Sequence, residues 1–146
     1  MADYQFGKGV GAKLFPVNVK ITYSRRTGRI RYVHLDGKRL ATLRPTDGFY
    51  SLSIEGARRI VENAWSAKCF VKVQTDVSQF IVEGGDVFAA HVVNADDEIR
   101  PKDEIIVLDE DGNVLAVGRA ALSGEEMIAF KRGVAVKVRR GRLQEG

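Results

Sequence analysis

Val17, Val19, Ile21 and Tyr23 alternate with Asn18, Lys20, Thr22 and Ser24, the two-residue period of a strand that buries one face. The segment "RRTG" then reverses the chain. Residues 29–35 and 39–43 continue as strands joined at Asp36-Gly37, where tolerance of positive φ suits a tight hairpin. An antiparallel meander is predicted. After "PTDG" a short strand from Phe49 to Leu52 leads to Ser53, an N-cap, and Ile54, Ala57, Ile60, Val61 and Ala64 then recur at helical spacing. Arg58, Arg59 and Glu62 fall on the outer side of that helix.

The second half opens with a strand at Val71 to Val73. Asp76 and Gln79 have the spacing of a capping box ahead of a helix that carries Val77, Phe80 and Ile81 and stops at Gly84-Gly85. Strands are predicted over 86–93, 103–108 and 114–122, the last two joined through "DEDGN", a turn with a glycine free to go left-handed. Ser123 and Glu126 form a second capping box, with Met127 and Phe130 expected on the core side. Val134, Val136 and Val138 alternate with Ala135, Lys137 and Arg139 in a final strand. Short strands with two single helices predict an α+β chain: a small N-terminal α+β domain, antiparallel meander plus helix, over residues 1–68, then a mixed β-barrel over 69–146. The junction falls near Trp65 to Cys69.

Charge adds a division that hydropathy does not. The net charge is +4 and the pI about 9.3, but residues 1–70 carry thirteen Lys/Arg against five Asp/Glu, and residues 71–146 carry ten against fourteen. Within the acidic half the signs separate again, acidic from Asn94 to Asp111 and wholly basic from Lys131 to Arg142. Such runs either face a polyanion or coat a solvated surface. No window reaches the roughly eighteen apolar residues of a membrane span, and no basic-then-apolar leader opens the chain, so a cytoplasmic protein is expected.

Catalytic and cofactor chemistry finds little support. "GKGVGAK" is glycine-rich, but no strand precedes Gly7 and no Gly-Lys-Ser/Thr closes it, as a P-loop requires. A turned leader is the better reading. His34 and His91 are expected as structural histidines, Asp96, Asp97 and Glu98 as an exposed acidic loop, and Cys69 as a small buried thiol. One cysteine and two histidines make no zinc spacing. No metal, cofactor or catalytic residue is assigned.

Binding is better supported. Lys137, Arg139 and Arg140 lie on or beside one strand, with Arg142 just beyond, and Arg25, Arg26 and Arg29 lie on or next to a hairpin turn. Cations held at strand spacing match the phosphates of a nucleic-acid backbone. Gly84-Gly85 has two readings, a plain helix stop or a place where backbone approaches a sugar-phosphate surface.

The segment "FIVEGGDVFAAHVVNADDEIRPKDEIIVLDEDGNVLAVGRAALSGEEMIAFKRGVAVKVRRG" resembles the archaeal type of PUA (pseudouridine synthase and archaeosine transglycosylase) domain. "ADYQFGKGVGAKLFP" and "RRTGRIRYVHLDGKRLATLRPTDGFYSLSIEGARRI" are similar to the segments that precede the PUA domain in archaeal tRNA-guanine transglycosylases. The resemblance implies a PUA barrel whose groove, between the loop after the first helix and the last strand, faces RNA. Here that groove would comprise Gly84, Gly85, Asp86, Val87, Phe88 and Ala89 with Lys137 and Arg139, Val87 and Phe88 dividing between core and groove. The catalytic barrel of those enzymes has no counterpart in the 146 residues. A non-catalytic protein is therefore expected, binding structured RNA such as tRNA, alone or beside a separately encoded tRNA-modifying enzyme. The rival expectation is a protein-interaction module that docks a basic partner through the acidic stretch 96–111.

Overall fold

The computed structural model describes Gln5 and residues 20–23, 31–35, 38–43, 50–63 and 68–144. The chain divides into two compact units, Met1–Ala67 and Lys68–Gly146. In the first, strands β1 (Lys20–Tyr23), β2 (Arg31–Leu35), β3 (Lys38–Leu43) and β4 (Tyr50–Leu52) form an antiparallel sheet in that order. Helix α1 (Ile54–Asn63) follows. Ser53 caps it, its Oγ accepting the Gly56 N–H at 3.0 Å and donating to the Leu40 carbonyl at 3.0 Å. A Cβ on Gly56 would overlap that same carbonyl, so the glycine lets the helix lie against β3. Ile54, Ala57 and Ile60 of the helix and Leu40, Ala41 and Leu52 of the sheet are all buried. The glycine-rich leader, Val17 and Val19, the "RRTG" and Asp36-Gly37 turns, "PTDG", Ala64 and the Trp65–Ala67 part of the junction lie outside the described residues.

The second unit contains β5 (Phe70–Val73), a 3-10 turn (Thr75–Val77), α2 (Ser78–Val82), β6 (Val87–Phe88), a 3-10 turn (Ala89–His91), β7 (Val92–Ala95), β8 (Glu104–Leu108), β9 (Val114–Ala120), α3 (Gly124–Phe130) and β10 (Val134–Gly141), closing on a 3-10 turn (Arg142–Gln144). Its strands run β6-β10-β9-β8-β5-β7 in a nearly closed mixed barrel. Among the described residues only β5 and β8 pair in parallel. The core inside comprises Val71, Val73, Ile81, Val87, Ile105, Val107, Leu115, Met127 and Val136 among others.

Several local expectations hold. Ser123 and Glu126 make a full capping box at α3, with bonds of 3.1 and 2.9 Å. Gly112 is left-handed at φ 87° in the β8–β9 turn. Burial pushes the Cys69 thiol well above its ordinary pKa, so it packs as an inert apolar group.

Others need correction. The strand expected over 86–93 is two strands, because a 3-10 turn over Ala89–His91 interrupts it. Asp76 makes no capping bond; the helix start is a 3-10 turn, and the Thr75 N–H is satisfied instead by Glu110 Oε2 at 3.1 Å. Phe130, expected on the core side, is 53% exposed; Phe80 is 55% exposed. In the five-residue α2 the buried side belongs to Ile81 and Val82, and Phe130 is where α3 ends, at a left-handed Lys131. Ala135 is buried beside Val136, since the β6–β10 register shifts between Val134 and Val136 and breaks the alternation.

Candidate nucleic-acid interface

The connector after α2 begins as a helix stop. The Gly85 N–H bonds to the Phe80 carbonyl at 3.0 Å and the Gly84 N–H to the Ile81 carbonyl at 2.9 Å, with Gly84 at φ 105°. This is the Schellman arrangement of a helix C-terminus, and Gly84 supplies the left-handed residue it needs. Gly85 has a packing reason: a Cβ there would overlap the Phe80 ring. Its bare side is therefore covered by an aromatic ring that is itself half in solvent.

Asp86 ties this connector to the last strand. Its Oδ1 accepts the Val138 N–H at 2.9 Å, continuing by a side chain the ladder that β6 makes with Val134 and Val136. Val87 and Ala89 are each 1% exposed and belong to the core, whereas Phe88 is 42% exposed. Phe88 is the most exposed side chain of the connector, and Asp86 is half-buried. Its ring meets His91 edge-on, with centroids 6.5 Å apart, and the Ala89 N–H bonds to the Gly133 carbonyl at 2.9 Å, drawing the Lys131-Arg132-Gly133 turn alongside.

On β10 the three candidate cations have different surroundings. Lys137 is exposed and makes no ion pair among the described residues. Arg139 is the extra residue of a β-bulge, since the β9 register runs Val138 to Gly118 and then Arg140 to Val117. Its guanidinium grips both oxygens of Glu104, Nη1 to Oε1 at 2.8 Å and Nη2 to Oε2 closer still. The Glu104 side chain is 0% exposed and that of Arg139 37%. Arg139, expected as an RNA contact, is thus committed to neutralising a buried carboxylate. Arg140 is exposed and, by register, on the outer side of the strand. Arg142 donates to the Val114 carbonyl at 3.2 Å. Arg25, Arg26 and Arg29 lie outside the described residues.

Opposite residues on antiparallel strands share a face. Val87, Val136 and Ala120 turn inward, so Phe88 on β6, Lys137 on β10 and Arg119 on β9 stand on the outer face of adjacent strands, and all three are exposed. Sequence reasoning missed Arg119, because a lone arginine after a glycine carries no signal until its partner across the strand is known.

The acidic stretch is largely occupied by its own structure. Asp96 accepts the Glu98 N–H, Glu98 pairs with Lys68 at 2.9 Å, Asp103 accepts the Arg100 N–H, Glu104 holds Arg139 and Glu110 holds Thr75. Asp109 accepts from the Asp111 and Asn113 amides and from Asn113 Nδ2 at 2.9–3.0 Å. Burial pushes its carboxyl up, but the hydrogen bonds from Asn113, Asp111 and Gly112 outweigh this and hold it below the usual carboxylate range. Among the described residues no cluster of His, Cys, Asp and Glu could hold a metal ion, and no helix is long and apolar enough to cross a membrane.

Residues 1–65 match the family described as the patch-forming domain C2 of tRNA-guanine transglycosylase, and residues 70–142 match the PUA domain. The chain is 45% identical over 141 residues to the tRNA-guanine(15) transglycosylase of Pyrococcus abyssi, covering 97% of this chain and 24% of that protein. The like-named protein of Methanobrevibacter smithii is 44% identical over 142 residues, 97% of this chain and 21% of its own. The chain thus spans about a quarter or less of these relatives. In fold it is similar to a hypothetical protein of Pyrococcus horikoshii, with a TM-score of 0.78 at 23% identity over 96% of this chain and 84% of that one. A conserved PUA domain protein of Thermoplasma acidophilum gives 0.65 at 25% identity over 84% and 75%.

Proposed function

The chain belongs to the PUA-domain family, and from that premise we propose that it is a non-catalytic RNA-binding protein that engages structured RNA, tRNA foremost, through the outer face of β6, β10 and β9. The observation that carries this is an exposed aromatic, Phe88, on the same outer face as the exposed cations Lys137 and Arg119 of the adjoining strands. A ring can stack on a base while lysine and arginine neutralise the backbone, a division of labour suited to folded RNA with unpaired positions. Gly84, Gly85 and Asp86 shape the connector, Val87 and Ala89 anchor it in the core, and Arg139 orients the strand. Lys137 and Arg140 supply contacts, and Arg25, Arg26 and Arg29 of the first unit are further candidate contacts. The relatives named tRNA-guanine(15) transglycosylase support tRNA as the RNA; a tRNA-modifying enzyme is the protein partner this reading suggests. The rival reading, docking of a basic protein through 96–111, has less support, because so many carboxylates there are already engaged.

Filter binding of the purified chain to bulk tRNA and to an unstructured RNA of equal length, across a salt series, tests the reading. Tighter, salt-sensitive retention of tRNA is expected; equal or salt-insensitive retention would overturn it. Incubation of the chain with tRNA and labelled guanine should give no incorporation, and turnover would remove "non-catalytic" from the proposal.

A further inference from the structure

Arg119 occupies the centre of a cross-strand row. On one side it lies directly across from Glu104 of β8, on the other directly across from Lys137 of β10. A simple ladder would pair Arg119 with Glu104, since opposite residues bring their Cβ atoms to about 4.5–5.5 Å on the same face. The bulge in β10 prevents that, because it delivers Arg139 to Glu104 and occupies both carboxylate oxygens. Asp103, the next acid in the chain, has its Oδ2 on the Arg100 N–H at 2.9 Å. Arg119 and Lys137 are left exposed, facing each other, with no ion pair among the described residues. Like charges directly opposite on a sheet oppose folding. A β-branched or neutral residue at either position would serve the strand better, so the row has the chemistry of a site awaiting an anion.

We propose that Arg119 and Lys137 jointly hold one phosphate group, the arginine by two parallel N–H donors and the lysine as a point charge from the neighbouring strand. The phosphate is a backbone phosphodiester of the bound RNA, an identification that rests on the function proposed above; the anion site itself rests on the register and the missing counter-charge. Glu104 and Arg139 act as positioning residues, since their mutual neutralisation is what leaves Arg119 available.

The test uses the full chain with Arg119→Gln, Lys137→Gln and the double variant. Thermal unfolding is followed with added inorganic phosphate against chloride at matched ionic strength, and tRNA affinity is followed over a salt series. Relief of repulsion should raise the melting temperature of free Arg119→Gln, while phosphate should stabilise wild type and fail to stabilise the variant. Each single variant should lower the slope of log affinity against log salt by about 0.7–0.9, and the double variant by no more, because one phosphate is lost in every case. Phosphate stabilisation retained in Arg119→Gln, or slopes that add in the double variant, would overturn the shared site. If phosphate discriminates the variants but wild type does not bind tRNA, the anion site stands and the RNA assignment fails. If all variants bind tRNA as wild type does, RNA binding stands and this site fails.

Discussion

Asp86 Oδ1 accepts the Val138 amide at 2.9 Å, one residue before the bulge that sends Arg139 to Glu104. One carboxylate therefore fixes the connector after α2 against β10 and steadies the position where β10 changes register. Without it the Val138 N–H would face a β6 strand that is already spent, two residues long. Replacing Asp86 by Ala should destabilise the unit by about 1–3 kcal/mol, the cost of a donor left unsatisfied. Asn keeps an oxygen at Oδ1 and should cost much less. Urea unfolding of both variants, with hydrogen exchange at the Val138 amide, checks this; equal stability of Ala and Asn would show that the bond contributes nothing.

The Glu104–Arg139 pair makes a sharper prediction. Arg139→Met removes the guanidinium that grips both oxygens of a buried carboxylate, and a loss of about 3–5 kcal/mol is expected. Arg139→Lys keeps the charge but not the two-pronged geometry and should fall between. Adding Glu104→Met to Arg139→Met should recover most of the loss, because removing both charges also removes their desolvation cost. A double variant no more stable than Arg139→Met would refute that account. Charge reversal at Arg139 would report on folding before it reported on any ligand.

These two interactions mark what was and was not legible in the sequence. Local devices were readable, because a cap or turn needs only residues three or four apart: the Ser53 cap, Ser123 and Glu126, the left-handed Gly112. The family resemblance carried the barrel. What could not be read depended on register. The sequence alternates Val136, Lys137, Val138 and Arg139 without a break, yet the bulge after Val138 turns Arg139 from a contact residue into a partner of Glu104, thirty-five positions away. Phe130 was misjudged for a different reason: it is the last residue of α3, where the chain turns away at a left-handed Lys131.

Gly84 and Gly85 should respond differently to the same change. Alanine at Gly84 must adopt φ near 105°, and a cost of about 1–3 kcal/mol is expected. Alanine at Gly85 displaces only the Phe80 ring, the end of a side chain already 55% exposed, so the protein should stay folded with the Phe80 resonances shifted. Thermal melts and aromatic NMR spectra distinguish the two, and a greater loss at Gly85 would contradict this packing.

Asp109 predicts a pH dependence. Its folded-state pKa lies below its ordinary value, so its contribution is fully present above the unfolded pKa of about 3.9 and is lost as pH falls through the folded value. Asp109→Ala should be less stable than wild type near neutrality by about 1–3 kcal/mol. That gap should narrow as pH drops below about 4. A gap that persists undiminished in acid would mean that the side chain matters for packing and not for its charge.

The division of labour between the basic surfaces is open to direct measurement. Lys137 stands on a strand fixed on both sides, by β9 and by β6 with Asp86, so a contact made there carries position as well as charge. Arg25 and Arg26 come from the other unit, where the sequence pattern predicts a hairpin turn. Each lost phosphate contact should lower the salt slope by about 0.7–0.9 wherever it lies, so charge alone predicts effects that scale with the number of phosphates released. Preference among RNAs is a different quantity. Lys137→Glu should reduce the preference for tRNA over an unstructured RNA of equal length, because folded RNA presents its phosphates at fixed positions. Reversing Arg25 and Arg26 should weaken both RNAs in proportion, leaving their ratio unchanged. With each variant measured on each RNA across one salt series, loss of discrimination in the Arg25/Arg26 variant alone would transfer the specific surface from the barrel to the first unit.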